Sequence, residues 1–434
     1  MHYNLRKTVA TVGLFLVFSF VLVLVAPAVK VETEPNTLVV PDDYATIQHA
    51  INSATPRDTV FVRKGIYNES LVISNKSIQL VGEDMNSTIV VGNGNTALVI
   101  QHDNVNVTGF TFKRPSTMRW HRGIHLLEVK NCNVYGNMIT STYYGIWCYN
   151  SMFNNVYENI VTGNMAGIIL EISHNNTVTR NYVIGNDGQG IGTIGADNNT
   201  ITENYVASNG WVGICLDGGS PNCNNLISAN VVTQNTAVGI SITSDGSAFN
   251  RIIGNNVTAN GDLIAYNPSG TGILLNIHDN LVMDNYIIGN QAGIQLEYAY
   301  NNTVYRNLIA NNTYGGIRDR FLSASQNIIY ENNFINNTAN FSQNVGVNVW
   351  DVNSKGNYWN NYNGTDSNND GIGDTAHIIA ENNTDYYPLM EPVQIPALEI
   401  PDTIPEFPLW LVLPLFFVVS LTVFVAKTKI CHPI

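Results

Sequence analysis

A Gly-Ile pair returns through the middle of this chain at nearly constant intervals, and that recurrence constrains the fold more than any other feature. The pair stands at Gly123, Gly145, Gly167, Gly190, Gly213, Gly239, Gly272, Gly293 and Gly316, mostly 21 to 23 residues apart. One unit reads Gly167-Ile168-Ile169-Leu170-Glu171, then Asn176-Thr177-Val178-Thr179-Arg180-Asn181, then Tyr182-Val183-Ile184-Gly185-Asn186. Runs this short alternate with period two and are too brief for helices. Three short strands per unit of this length fit one coil of a single-stranded right-handed parallel β-helix. A leucine-rich repeat is the rival at this period. Its long leucine-spaced consensus and its helical half are both missing.

Asparagine follows the same period. One column runs Asn137, Asn159, Asn181, Asn204, Asn230, Asn255, Asn285, Asn307 and Asn332, and a second runs Asn164, Asn186, Asn209, Asn235, Asn260, Asn290, Asn311 and Asn336. Asn tolerates left-handed backbone, and its amides can bond from coil to coil when stacked at the strand spacing of roughly 4.8 Å. Before the first column stand Glu158, Arg180 and Glu203, and later Asp284, Arg306 and Glu331. Their alternating signs predict ion pairs between neighbouring coils, which makes them structural and not catalytic.

The expected β-helix covers residues 39–340. Residues 42–53, with Ile47, Ala50 and Ile51 on one face, read as an amphipathic helix capping the open N-terminal end. Residues 341–390 are expected to close the other end.

Both termini read as membrane signals. Residues 1–28 carry Arg6 and Lys7, an apolar run and Ala26-Pro27-Ala28, which predict a signal peptide. Recurrent prolines predict an extended stalk over 391–408. The apolar stretch 409–426, stopped by Lys427 and Lys429, predicts a transmembrane helix with residues 427–434 as a cytoplasmic tail. The expected location is the extracellular face of the cell membrane, with glycans on sequons such as Asn68, Asn86, Asn175, Asn256, Asn301 and Asn363. A net charge of −13 with only 20 Lys and Arg residues argues against a nucleic-acid partner.

Alternation points the residue after each inward Ile toward solvent. His125, Trp147, Tyr149 and Glu171 then form an aromatic and ionisable patch on a flat sheet, a surface on which sugar rings stack. Glycosidase chemistry needs two carboxyl groups roughly 5–9 Å apart. Glu171 and Asp217, two coils apart, are the weak candidates, and no further acidic column supports them. Arg318 and Arg320 offer a lyase base without a visible acidic cluster, and Asp319 suggests a break in the regular coil.

His174 and His278 read as turn residues. The cysteines at 132, 148, 215, 223 and 431 lack a tight metal spacing. Cys148 is expected to pack inward, and export permits a Cys215–Cys223 disulfide. The segment Asp366-Ser367-Asn368-Asn369-Asp370-Gly371-Ile372-Gly373-Asp374 has the layout of a calcium loop. Asp366, Asn368, Asp370 and Asp374 would supply side chains and Ile372 a carbonyl. A metal-free Asx-rich turn is the alternative.

The Gly-Ile/Asn coils resemble the parallel β-helix repeat family of periplasmic copper-enzyme maturation proteins and carbohydrate-binding and sugar-hydrolase domains. Thr46-Ile47-Gln48-His49-Ala50-Ile51 with Asp58-Thr59-Val60-Phe61-Val62 is similar to the opening of pectin-lyase-like folds. Gly356-Asn357-Tyr358-Trp359 and Asp385-Tyr386-Tyr387-Pro388-Leu389 resemble an ending common in archaeal members, and Pro405-Glu406-Phe407 looks like an archaeal sorting signal of PEF type. The resemblance implies the fold and a surface location. Cys and Met form no soft-ligand cluster that would support copper. The function expected is non-catalytic binding or organising of extracellular polysaccharide. A calcium-assisted polysaccharide lyase or glycoside hydrolase is the alternative, and a structural envelope component the second.

Overall fold

The computed structural model describes residues 34–114, 121–261, 270–319, 324–341 and 346–397. The expected signal peptide, transmembrane helix and cytoplasmic tail, and the sorting signal, lie outside the described residues. Among the described residues no helix is long and apolar enough to cross a membrane.

From Thr37 the chain winds into a parallel β-solenoid of right-handed type, with about 13 turns. The first sheet has 13 strands, from Thr37–Val40 to Ile328–Tyr330. The second also has 13, from Gly65–Tyr67 to Tyr358–Trp359, and the third has 11, from Leu71–Ile73 to Gly315–Asp319. Successive coils pair in register, so one column of the sequence becomes one row of the core. Val134, Val156, Val178, Ile201, Ile227, Ile252, Val282, Val304 and Ile329 form such a row, all buried. Each such side chain contributes about 1.5–3 kcal/mol.

The asparagines run through the corners of this core as continuous ladders. Asn204 is typical: its Oδ1 accepts from Asn181 N and Nδ2, both at 3.0 Å. Its own Nδ2 donates to Val178 O, Thr202 O and Asn230 Oδ1 at 2.9–3.0 Å. The first expected column is confirmed through Asn332 and continues to Asn357. The second departs at its end: Asn290 bonds Asn312, and Asn312 bonds Asn337. Asn311 and Asn336 instead stand one residue earlier, exposed, at φ of 54° and 52°. A third ladder, absent from the sequence reading, runs Asn154, Asn176, Asn199, Asn225, Asn250, Asn280, Asn302, Asn327, Asn348 and Asn383.

The charged column pairs as expected except at Glu331, whose ion pair is with Lys355 at 3.0 Å. Arg180 bridges Glu158 at 3.1 Å and Glu203 at 3.6 Å, and Arg306 meets Asp284 at 2.7 Å.

At the N-terminal end the helix is shorter than expected, spanning Ile47–Ser53. Thr46 caps it by accepting from His49 N at 3.2 Å, so residues before Thr46 remain in turns. Ile47, Ala50 and Ile51 face the core as predicted.

At the far end Trp359 stacks on Phe334 with ring centroids 4.3 Å apart, and Trp350 packs against both Phe341 and Trp359. Two ladders terminate here: Asn383 accepts from Asn348 N and Trp350 Nε1, and Asp385 accepts from Asn357 N and Trp359 Nε1. Burial of Asp385 pushes its carboxyl up to about 6 against these donors.

The stalk expected to stand free is in part docked. Asn333 on the second sheet donates to Val393 O at 2.7 Å and accepts from Val393 N at 2.8 Å, while Tyr286 OH reaches Pro396 O at 3.1 Å. An asparagine side chain carries both a donor and an acceptor, which suits a passing extended backbone. Residues 398–408 of the expected stalk lie outside the described residues.

Candidate functional site

The Gly-Ile column decides which side chains reach the outer face of the third sheet. A Cβ at Gly145 would lie 2.5 Å from Val161 Cγ1 and 2.7 Å from Gly167 O. The glycine therefore faces inward, as Ile146 beside it does, and alternation breaks at that point. Tyr144 consequently turns outward beside Trp147 and Tyr149. By the same rule Arg122 joins His125 one coil earlier.

These residues meet. His125 stacks on Trp147 with centroids 4.2 Å apart and an angle of 11°. The Arg122 guanidinium lies 4.3 Å from the centre of the Trp147 ring. Tyr144 and Tyr149 flank the indole at 5.6 and 5.4 Å, and Trp147 Nε1 donates to Glu171 Oε2 at 3.1 Å. All four residues of the expected patch are thus brought together.

The patch is less open than alternation implied. His125 is buried, 8% exposed, and Trp147, Tyr149 and Glu171 are half-buried. Ile169 and Cys215, expected at the surface, are 0% and 2% exposed. Val212, Cys215 and Val238 pack into a small apolar cluster with Ala237 and Leu274 along the outside of the sheet. His125 therefore backs the indole with its ring face, and only its unpartnered Nε2 edge remains.

Buried polar atoms concentrate here without partners: both ring nitrogens of His121, Nε of Arg122 and Nε2 of His125. Burial, reinforced by Arg114 at His121 and by Arg122 at His125, pushes both imidazoles down to about 4. Both are neutral at pH 7.

The two weak catalytic candidates are each engaged elsewhere. Glu171 holds the Trp147 indole, and Asp217 Oδ1 accepts from the following Gly218 N at 2.7 Å. Ile194 pairs with Glu171 on the intervening strand and separates the two in register. Asp319 is the last residue of the strand Gly315–Asp319, paired with Leu296, and its buried side chain accepts from Ala324 N at 3.0 Å. Arg318 lies 4.7 Å over the Tyr314 ring, and Arg320 lies outside the described residues.

The cysteines do not assemble. Cys148 is in the core as expected, and Cys132, Cys148, Cys215 and Cys223 are all free, so the permitted Cys215–Cys223 bond is not formed. Burial raises the thiols of Cys132 and Cys148 to about 11 and 12. His174 forms an isolated parallel bridge with Met152 beside Asp197, and His278 sits in a bend beside Asp279.

The acidic loop turns upon itself. Asp366 accepts from Asp370 N and Gly371 N at 3.1 and 2.9 Å, and Asn368 Oδ1 accepts from Asp370 N at 3.1 Å. Asp370 Oδ1 takes Ile372 N at 2.9 Å. Asp374 Oδ2 takes Ser367 N, Ser367 Oγ and Thr365 Oγ1, which hold its carboxyl below its ordinary range.

Sequence reasoning missed Arg122 and Tyr144, both legible once the glycine is read as inward-facing.

A family profile described as periplasmic copper-binding protein (NosD) matches residues 51–223 and 218–364. The mannuronan C-5 epimerase AlgE6 A-module of Azotobacter vinelandii superposes with a TM-score of 0.54 and 16% identity, over 70% of this chain and 93% of that one. The catalytic domain of GH87 alpha-1,3-glucanase in complex with nigerose superposes with a TM-score of 0.58 and 15% identity, over 75% of this chain and 69% of that one. At these identities the likeness is one of fold. A putative pectinesterase/pectinesterase inhibitor of Arabidopsis thaliana is 40% identical over 70 residues, which span only 13% of its length.

Copper does not fit the residues present. Among the described residues no three His, Cys, Asp or Glu side chains converge. The soft ligands Cys132 and Cys148 face the core with their protons held on. His121 and His125 have free nitrogens, but Arg122 stands between them on the strand, and its positive charge opposes a cation.

Proposed function

The chain belongs to the NosD family of periplasmic copper-binding proteins, and from that premise, with a β-helix whose described residues gather no cluster of ligands for copper, we propose that it binds extracellular polysaccharide without cleaving it. The observation that carries this reading is the platform around Trp147. Its indole is held rigid by His125 stacking on one side and Glu171 at its nitrogen, with Tyr144, Tyr149 and Arg122 around it. A fixed aromatic surface with hydrogen-bonding groups at its rim suits the C–H faces and hydroxyls of sugar rings. The carbohydrate-related proteins that share the fold support the same ligand class.

Against catalysis stand the engaged states of Glu171 and Asp217 and the strand that separates them. Trp147→Ala should lower glycan binding about tenfold or more, measured on a glycan array and then by calorimetry. Unchanged binding would remove the platform from the proposal. New reducing ends or unsaturated uronic products, on incubation with neutral and acidic polysaccharides, would overturn the non-catalytic part.

We propose that calcium would draw the oxygens of Asp366, Asn368, Asp370 and Asp374, which here accept from the loop's own donors, into one site that ties down the C-terminal closure, and that the protein stands at the outer cell surface, attached by its C-terminal apolar segment. A cation held only by the folded state must stabilise it, so a chelator should lower Tm by several degrees. A Tm indifferent to chelator would leave only the Asx-rich turn.

A further inference from the structure

We propose that the Arg122 end of this platform is a subsite for an anionic substituent of the glycan, a carboxylate or sulfate group carried on a sugar ring. The inference rests on the polysaccharide reading above.

Arg122 differs from the paired surface arginines. Arg63 meets Asp42 at 2.8 Å, Arg180 meets Glu158 and Glu203, and Arg306 meets Asp284. Arg122 forms no ion pair among the described residues, in a chain that carries 33 acidic side chains. Its backbone N bonds Asn95 O at 2.9 Å, but its Nε is buried without an acceptor. Three residues along the same strand, His125 Nε2 is also buried and unpartnered. A buried donor left unpaired costs about 1–3 kcal/mol, and two on one face of one strand are not explained by packing.

The complementary group is an oxyanion. It would accept from the guanidinium and from His125 Nε2 in the tautomer that carries the proton there, giving charge-assisted bonds in a half-buried site. The platform is bipolar, which gives direction to the binding. Glu171 is held at the far edge of the indole by Nε1, so an anionic ring group is attracted at the Arg122 end and repelled at the other. Sugar hydroxyls can donate to Glu171 while the acidic substituent lies at Arg122.

The test uses the whole chain and oligosaccharides matched in backbone but not in charge. A galacturonan oligomer is compared with its carboxyl-reduced twin, and a sulfated galactan oligomer with its desulfated twin, by calorimetry at low and high salt. In at least one pair the charged form should bind roughly tenfold or more tightly than its twin. The gap should narrow in high salt and vanish in Arg122→Gln. Whichever pair shows the gap names the source of the anion.

Equal binding of charged and neutral forms would overturn the subsite while leaving the polysaccharide reading intact. So would a gap that survives in folded Arg122→Gln. Binding of neither form, in either pair, would overturn both readings. Should the variant fail to fold, the twin comparison on the native chain decides alone.

Discussion

Two regions of this molecule bury polar side chains, and they treat them in opposite ways. In the corners of the solenoid the Asn ladders satisfy their amides: the Asn204 side chain takes part in five bonds with its neighbours above, below and beside it. On the outside of the third sheet Arg122 and His125 bury nitrogen atoms without a partner, and so does His121, fully buried before that strand beside Gly92. One interior hydroxyl, Thr193 Oγ1, shares that condition. Amide ladders can be complete because each coil offers the same donor and acceptor to the next. The outer strand breaks the repeat with side chains that occur once, and no neighbouring coil can complete them. A satisfied network specifies the fold, and an unsatisfied one asks for something outside it.

The largest effect should come from breaking a ladder. Asn204→Ala removes a buried amide, strands Asn181 N and takes the side-chain donor from buried Val178 O, while Thr202 O keeps Arg180 N at 3.3 Å. At about 1–3 kcal/mol for each orphaned group, partly relieved by relaxation, the loss should be on the order of 4 kcal/mol in denaturant unfolding. Asn336→Ala is the matched control. That residue is exposed at φ 52°, outside the ladder, so its loss should stay below about 1 kcal/mol. Equal losses at the two positions would sink the distinction between ladder and turn.

The same pair shows how far the sequence could be read. The period, the strands, the inward Ile positions and one whole ladder were legible because each is a single residue type at a fixed spacing. The third ladder was not, since many of its members lie in Asn-Asn pairs such as Asn175-Asn176, Asn198-Asn199 and Asn301-Asn302. In each pair the first residue takes the left-handed turn, with φ of 57°, 58° and 55°, and the second enters the core. Asn311-Asn312 and Asn336-Asn337 are such pairs too, and there the turn residue was assigned to the ladder.

Both chemical roles suit asparagine, so spacing alone does not tell them apart. At the candidate site the identities of His125, Trp147, Tyr149 and Glu171 followed from alternation. Their exposure did not, because it depends on neighbours that pack over the sheet from the turns. Arg122 and Tyr144 required knowing that the glycine column faces inward.

A smaller effect tests the other side of the comparison. At pH 7 His125 is neutral, stacked on Trp147 and short of one hydrogen bond. His125→Phe keeps a flat ring and removes the orphan, so stability should change little or rise by about 1 kcal/mol. The difference should widen on acidification. The folded imidazole titrates at about 4, below its ordinary 6.5, so the unfolded chain binds the extra proton first. Native His125 therefore holds its full contribution above pH 6.5 and loses it as the pH falls toward 4.

A shift of this size corresponds to about 3 kcal/mol at most, and about 2 kcal/mol is expected where the site can open to water. Asp385 works with the opposite sign. Its raised carboxyl favours the folded state at low pH, and that contribution is lost as pH rises through about 6. It is common to both proteins, so it cancels when native and variant are compared at each pH. Parallel stability curves from pH 7 to pH 4 would mean that water or an ion already reaches the ring. The outer strand would then be as well satisfied as the ladders, and the contrast between the two regions would be lost.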